Sequence, residues 1–104
     1  MSFLFQLVRD DEGFPPRVVF QDSTTSGLVP LWEAVGVYDA LYTSDGQRAR
    51  DVSRAIAYGL DRVTEDASLA QLMPPGLPAA EAIRFLENVN RACVTHAAAW
   101  IQTR

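Results

Sequence analysis

A chain of 104 residues, 48% hydrophobic and 21% charged, is long enough to bury one core and too apolar to stay disordered. One domain over 1–104, folding without a metal or crosslink, is therefore expected, and chemistry that needs an ε-amine is excluded because all nine basic residues are Arg: no Schiff base, no pyridoxal cofactor, no P-loop lysine. The formal net charge of −4 argues against sequence-independent binding of nucleic acid and points to a protein partner or to simple solubility.

The chain opens without a basic leader, and its first apolar run ends in Asp10-Asp11-Glu12 instead of a small-residue cleavage site, so no signal peptide is read. No apolar stretch reaches the roughly 18 residues of a membrane span. Cys93 is the only cysteine and has no partner for an internal disulfide, which fits a reducing, cytoplasmic setting. Fourteen Ala beside the nine Arg suit the coding bias of a GC-rich, bacterial genome.

Residues 3–9 and 17–22 are runs of β-branched and aromatic residues separated by a turn-rich stretch at 10–16, the pattern of a hairpin with a longer loop. Phe3, Phe5 and Leu7 share one face of the first strand, and Val18 and Phe20 are expected to share a face of the second. A two-stranded ribbon is marginal alone, so it must lie on helices or pair its edge with another subunit. Residues 21–27 are polar and connect to a helix from about Pro30, in which Leu31, Val35, Tyr38 and Tyr42 recur at helical spacing and Gly36 is a weak point. Ser44 and Gln47 form the pattern of a capping box before a helix whose buried stripe is Val52, Ile56, Leu60 and Val63. A short helix over 66–73 ends at Pro74-Pro75-Gly76-Leu77-Pro78. A final helix from Ala79 to near Arg104, with Ala82, Leu86, Val89, Cys93, His96 and Trp100 on one stripe, would measure about 40 Å. No internal repeat of solenoid period is present.

Four groups of residues could carry chemistry. Cys93 and His96 stand at i and i+3 on one helical face, where an imidazole can deprotonate a thiol. Their apolar neighbours, the absence of a third residue to orient the base, and a mid-helix position favour a packed cysteine instead. One Cys and one His are also too few donors for a metal site. Arg48, Arg50 and Arg54 after Gln47 resemble the first turns of a recognition helix, but interleaved acids and the negative net charge weigh against nucleic acid. Asp10, Asp11 and Glu12, or Glu65 and Asp66, offer paired carboxylates but read as solvated turns. Pro75-Gly76-Leu77-Pro78 fits a P-x-x-P pattern and reads as a helix separator.

The sequence thus predicts an α+β fold, a β-hairpin over 3–22 followed by three or four helices over 30–104, the last one long. No catalytic residue, cofactor or metal is assigned. The expected role is a small acidic, non-enzymatic protein-interaction or regulatory module, a homodimer or the partner of a dedicated protein. Trp32, Tyr38, Tyr42, Tyr58 and Trp100 are its interface candidates, because Tyr and Trp suit surfaces that are part apolar and part wet. The alternative is a small-molecule-binding protein or minimal enzyme with a pocket near Cys93 and His96.

Overall fold

A computed structural model describes residues 1–11 and 13–104. The chain runs β1 (Ser2–Arg9), β2 (Arg17–Thr25), α1 (Val29–Val35), α2 (Tyr38–Tyr42), α3 (Ala49–Glu65), α4 (Ala79–Thr95) and β3 (Trp100–Thr103), with 3-10 turns at Ser26–Leu28 and Ala67–Leu72. The architecture is α+β, with the hairpin first and the helices after it, as the residue pattern implies. It ends, however, on a strand.

The sheet has the order β2-β1-β3, antiparallel throughout. Leu4 and Arg104 exchange both backbone hydrogen bonds at 3.0 Å, which sets the phase of the ladder. Leu4, Gln6 and Val8 turn their N–H and C=O groups toward β3, and Phe3, Phe5 and Leu7 turn theirs toward β2. Side chains alternate in the perpendicular direction, so Phe3, Phe5, Leu7 and Ile101 enter the core while Leu4, Gln6 and Val8 lie on the opposite face. The expectation that Val18 and Phe20 share a face fails. A bulge shifts the register between Leu7 and Val8, pairing Leu7 with Phe20 but Val8 with Val18, and the extra residue, Val19, reverses the alternation. Phe20 packs on the core and Val18 stays 50% exposed on the other side.

The helical segments depart from the sequence reading where backbone chemistry intervenes. Gly36 adopts a left-handed φ of 80° and ends α1, so the helix expected from Pro30 is two short ones, and Val37 N–H closes the turn on Trp32 C=O at 3.0 Å. Ser44 and Gln47 do not cap α3. They form a turn, Gln47 N–H donating to Ser44 C=O at 2.9 Å, and α3 starts after Arg48, whose N–H donates to the Asp51 carboxylate at 3.0 Å. Residues 67–72 wind as a 3-10 helix.

The largest correction concerns the last helix. It spans 17 residues, about 25 Å at the usual rise, and His96 leaves it with φ −117° and ψ 51°. A turn over Ala97–Ala99 then sends Trp100–Thr103 back along β1. The strand wins over continued helix because it satisfies the outward backbone groups of Gln6 and Val8 and fully buries Ile101. Trp100 therefore does not share a stripe with Cys93.

The core joins the two layers through a run of rings. Trp32 lies 6.0 Å from Phe85, Phe85 lies 6.3 Å from Phe3, and Phe3 stacks at 4.1 Å on Tyr42, which stacks at 5.0 Å on Tyr38. No helix is long and apolar enough to cross a membrane among the described residues.

Candidate interaction surface

The helices cover one face of the sheet. On the other, Val8, Val18 and Trp100 form a cross-strand row that takes no part in the main core cluster; Val8 itself is buried between its neighbours, and Val18 is the exposed member. The next row is Gln21, Gln6 and Gln102, with Gln6 Nε2 donating to Gln21 Oε1 at 3.0 Å. Arg48 places its guanidinium 3.9 Å from the centre of the Trp100 ring and donates to Ala98 C=O at 2.6 Å. That pairing is a cation–π contact whose guanidinium is anchored on the backbone two residues before the indole. No strand position on this face is acidic, in a chain whose net charge is −4.

The two sheet edges differ. The outer edge of β3 is covered by the chain itself. Gly46 N–H donates to Ile101 C=O at 3.0 Å, Ile101 N–H to Gln47 C=O at 2.8 Å, and Thr103 N–H to the Asp45 carboxylate at 2.6 Å. The ladder phase turns the backbone groups of Gln21, Ser23 and Thr25 on β2 away from β1, and no strand pairs with that edge among the described residues. Burial in part pushes the Asp22 carboxyl up, but hydrogen bonds from Arg84, Asn88 and Ser23 N–H, with the Arg84 charge, outweigh this and hold it below the ordinary aspartate value.

The aromatic residues singled out in the sequence go to different places. Trp32 is fully buried and offers no surface, while Tyr38 and Tyr42 are half-buried in the ring stack. Tyr58 is 63% exposed on α3, far along the chain from the bare sheet face that Trp100 helps to form. The row around Val8 and Val18 was missed because it depends on the bulge. The signal available was the β-branched pair Val18-Val19, read there as simple alternation.

Cys93 is fully buried on α4, and burial pushes its thiol up to about 12. His96, the last cap of α4, is half-buried and lines a hollow of about 240 Å³ with Phe20, Asn88, Arg91, Ala92 and Thr95, and Cys93 is not among the lining residues. No hydrogen bond joins the two among the described residues, so the thiolate that nucleophilic chemistry requires is not stabilised. A thiol reagent at neutral pH is expected to leave the native protein unlabelled and to react once it is unfolded. Fast labelling of the folded chain, read by mass spectrometry, would contradict this placement.

Asp66 caps the 3-10 turn, accepting from Ser68 N–H at 3.0 Å, and Arg48 is occupied by Trp100. Asp11 accepts from Arg9 at 3.5 Å, and Glu12 lies outside the described residues. No group of three His, Cys, Asp or Glu side chains able to hold a metal ion occurs among the described residues. Comparison with protein-family models, with curated proteins and with solved structures finds no match to this chain.

Proposed function

We propose that this chain is a non-enzymatic protein-interaction module that self-associates through the bare face of its sheet. The observation that supports the reading is the apolar pair Val18 and Trp100 flanking the buried Val8 outside the main core cluster, bordered by a row of glutamines on a face whose strand positions carry no carboxylate. Val18, half exposed at an edge, is a side chain that water leaves at a gain when a second surface covers it. Glutamine amides both donate and accept, so the Gln21, Gln6 and Gln102 row is complementary to its own copy across a two-fold axis.

Size sets the strength. Three short strands about 4.8 Å apart present only a few hundred Å², below the roughly 800 Å² per partner of a stable complex. A weak, concentration-dependent dimer is the expected state. Sedimentation velocity across the micromolar to millimolar range should show the average mass rising with concentration. Val18→Asp should remain a monomer over the same range and still unfold in one cooperative transition, because it leaves the helical core alone although it gives up the cross-strand contact with Val8. A wild-type chain that is monomeric at every concentration would remove self-association from the proposal.

A further inference from the structure

We propose that the hollow between the 3-10 helix at Ala67–Leu72 and the α-helices beneath it is a binding site for a small, neutral, apolar molecule built on a single aromatic ring. Leu31 of α1, Val63 of α3 and Ile83 of α4 line it from one side, and Leu69, Ala70 and Met73 close it from the other, around about 230 Å³. An apolar cavity of roughly 150 Å³ already takes benzene, so one substituted ring fits. The space has a local cause. A 3-10 helix returns to the same side every three residues, which sets Ala67, Ala70 and Met73 in one line along the hollow. The two alanines leave open what longer side chains would fill.

The polar groups at the rim are largely engaged. Thr64 Oγ1 donates to Leu60 C=O at 2.7 Å, and Asp66 Oδ1 accepts from Ser68 N–H at 3.0 Å. Water in the hollow finds few of the two to four partners it needs, so an apolar molecule that displaces it gains free energy. Charge then selects among apolar molecules. Asp66 is the one charged residue in the lining among the described residues, its carboxyl held below the ordinary aspartate value by hydrogen bonds from Ser68, and Arg62 is engaged on Ala34 C=O at 2.9 Å. An anionic head meets repulsion there and a neutral molecule does not. Met73 favours a ring, because thioether sulfur makes favourable contacts with aromatic edges. The covering segment can yield to admit it. Every residue from Thr64 to Glu81 is exposed or half-buried, and the bonds Leu69 N–H to Asp66 C=O and Met73 N–H to Ala70 C=O are both long at 3.2 Å.

Toluene is the probe. Titrated into the full chain and followed by NMR of the methyl groups, it should give saturable shifts confined to Leu31, Val63, Leu69, Met73 and Ile83. Val8 and Val18 on the sheet face should stay still, which separates this site from the self-association surface. Ala70→Leu fills the hollow and should weaken toluene binding about tenfold or more. Benzoate, a ring of similar size that carries a charge, should bind about tenfold more weakly than toluene. Shifts that rise without saturating, or that Ala70→Leu leaves as they were, would overturn the site, and benzoate bound as tightly as toluene would overturn the choice of a neutral ligand. Thermal unfolding checks that Ala70→Leu is folded; if it is not, Ala67→Leu fills the same line one 3-10 turn earlier and is read the same way.

Discussion

Phe85→Ala lowers the free energy of unfolding by about 3–5 kcal/mol, a large part of the roughly 5–15 kcal/mol available to a domain of this size. Phe85 is fully buried on α4 and sits between Trp32 of α1 and Phe3 of β1. Removing it empties the space where the helical layer meets the sheet. Its neighbours cannot close the gap, because Phe3 is stacked at 4.1 Å on Tyr42 and Trp32 is enclosed by α1 and its surroundings. The cost therefore includes the cavity as well as the lost transfer energy. Denaturant unfolding checks it: the midpoint should fall while the m-value holds, and a loss under about 1 kcal/mol would mean that the core collapses around the site.

Gly59→Ala destabilises by about 1–3 kcal/mol, opposite in sign to the usual effect of replacing a helical glycine. On a free surface alanine would gain up to about 1 kcal/mol in helix propensity. Here a Cβ at Gly59 falls far inside the contact distance of Val37 Cγ1, and also close to Val35 C=O at 3.3 Å. Val37 is fully buried and β-branched, so its room to rotate away is restricted. α3 reaches the turn after α1 only because residue 59 has no side chain. Pairing Gly59→Ala with Val37→Ala should recover part of the loss, and strict additivity of the two changes in a thermal-unfolding cycle would show that they do not meet.

The strands of the hairpin were legible because alternation over Phe3, Phe5 and Leu7 is a local signal, and the buried stripe of α3 for the same reason. Leu60 alone in that stripe is only half-buried, its place taken by Gly59, which no hydrophobic pattern could nominate. The end of α4 was not legible. Ala97-Ala98-Ala99 favours helix, and His96 and Trp100 continue a 3.6-residue spacing with no glycine or proline to stop it. What stops it is the open side of β1, some ninety residues earlier, and a partner that distant leaves no mark on the local pattern. The bare sheet face was hidden by the same facts, since it needs both β3 and the bulge at Val19 to exist. The Asp22–Arg84 ion pair joins residues 62 positions apart, and neither stands out in its own segment.

The sheet is closed by its two most distant strands, Phe5 meeting Thr103 and Gln6 meeting Gln102. Emergence from the ribosome therefore orders the assembly. The hairpin and α1 to α3 are synthesised before the third lane of the sheet, and the site that Ile101 fills stands empty until then. Translation runs at about 5–20 residues per second, so this interval lasts several seconds. Throughout it the nascent chain carries the β1 edge unpaired, and only the arrival of Trp100–Thr103 seals it.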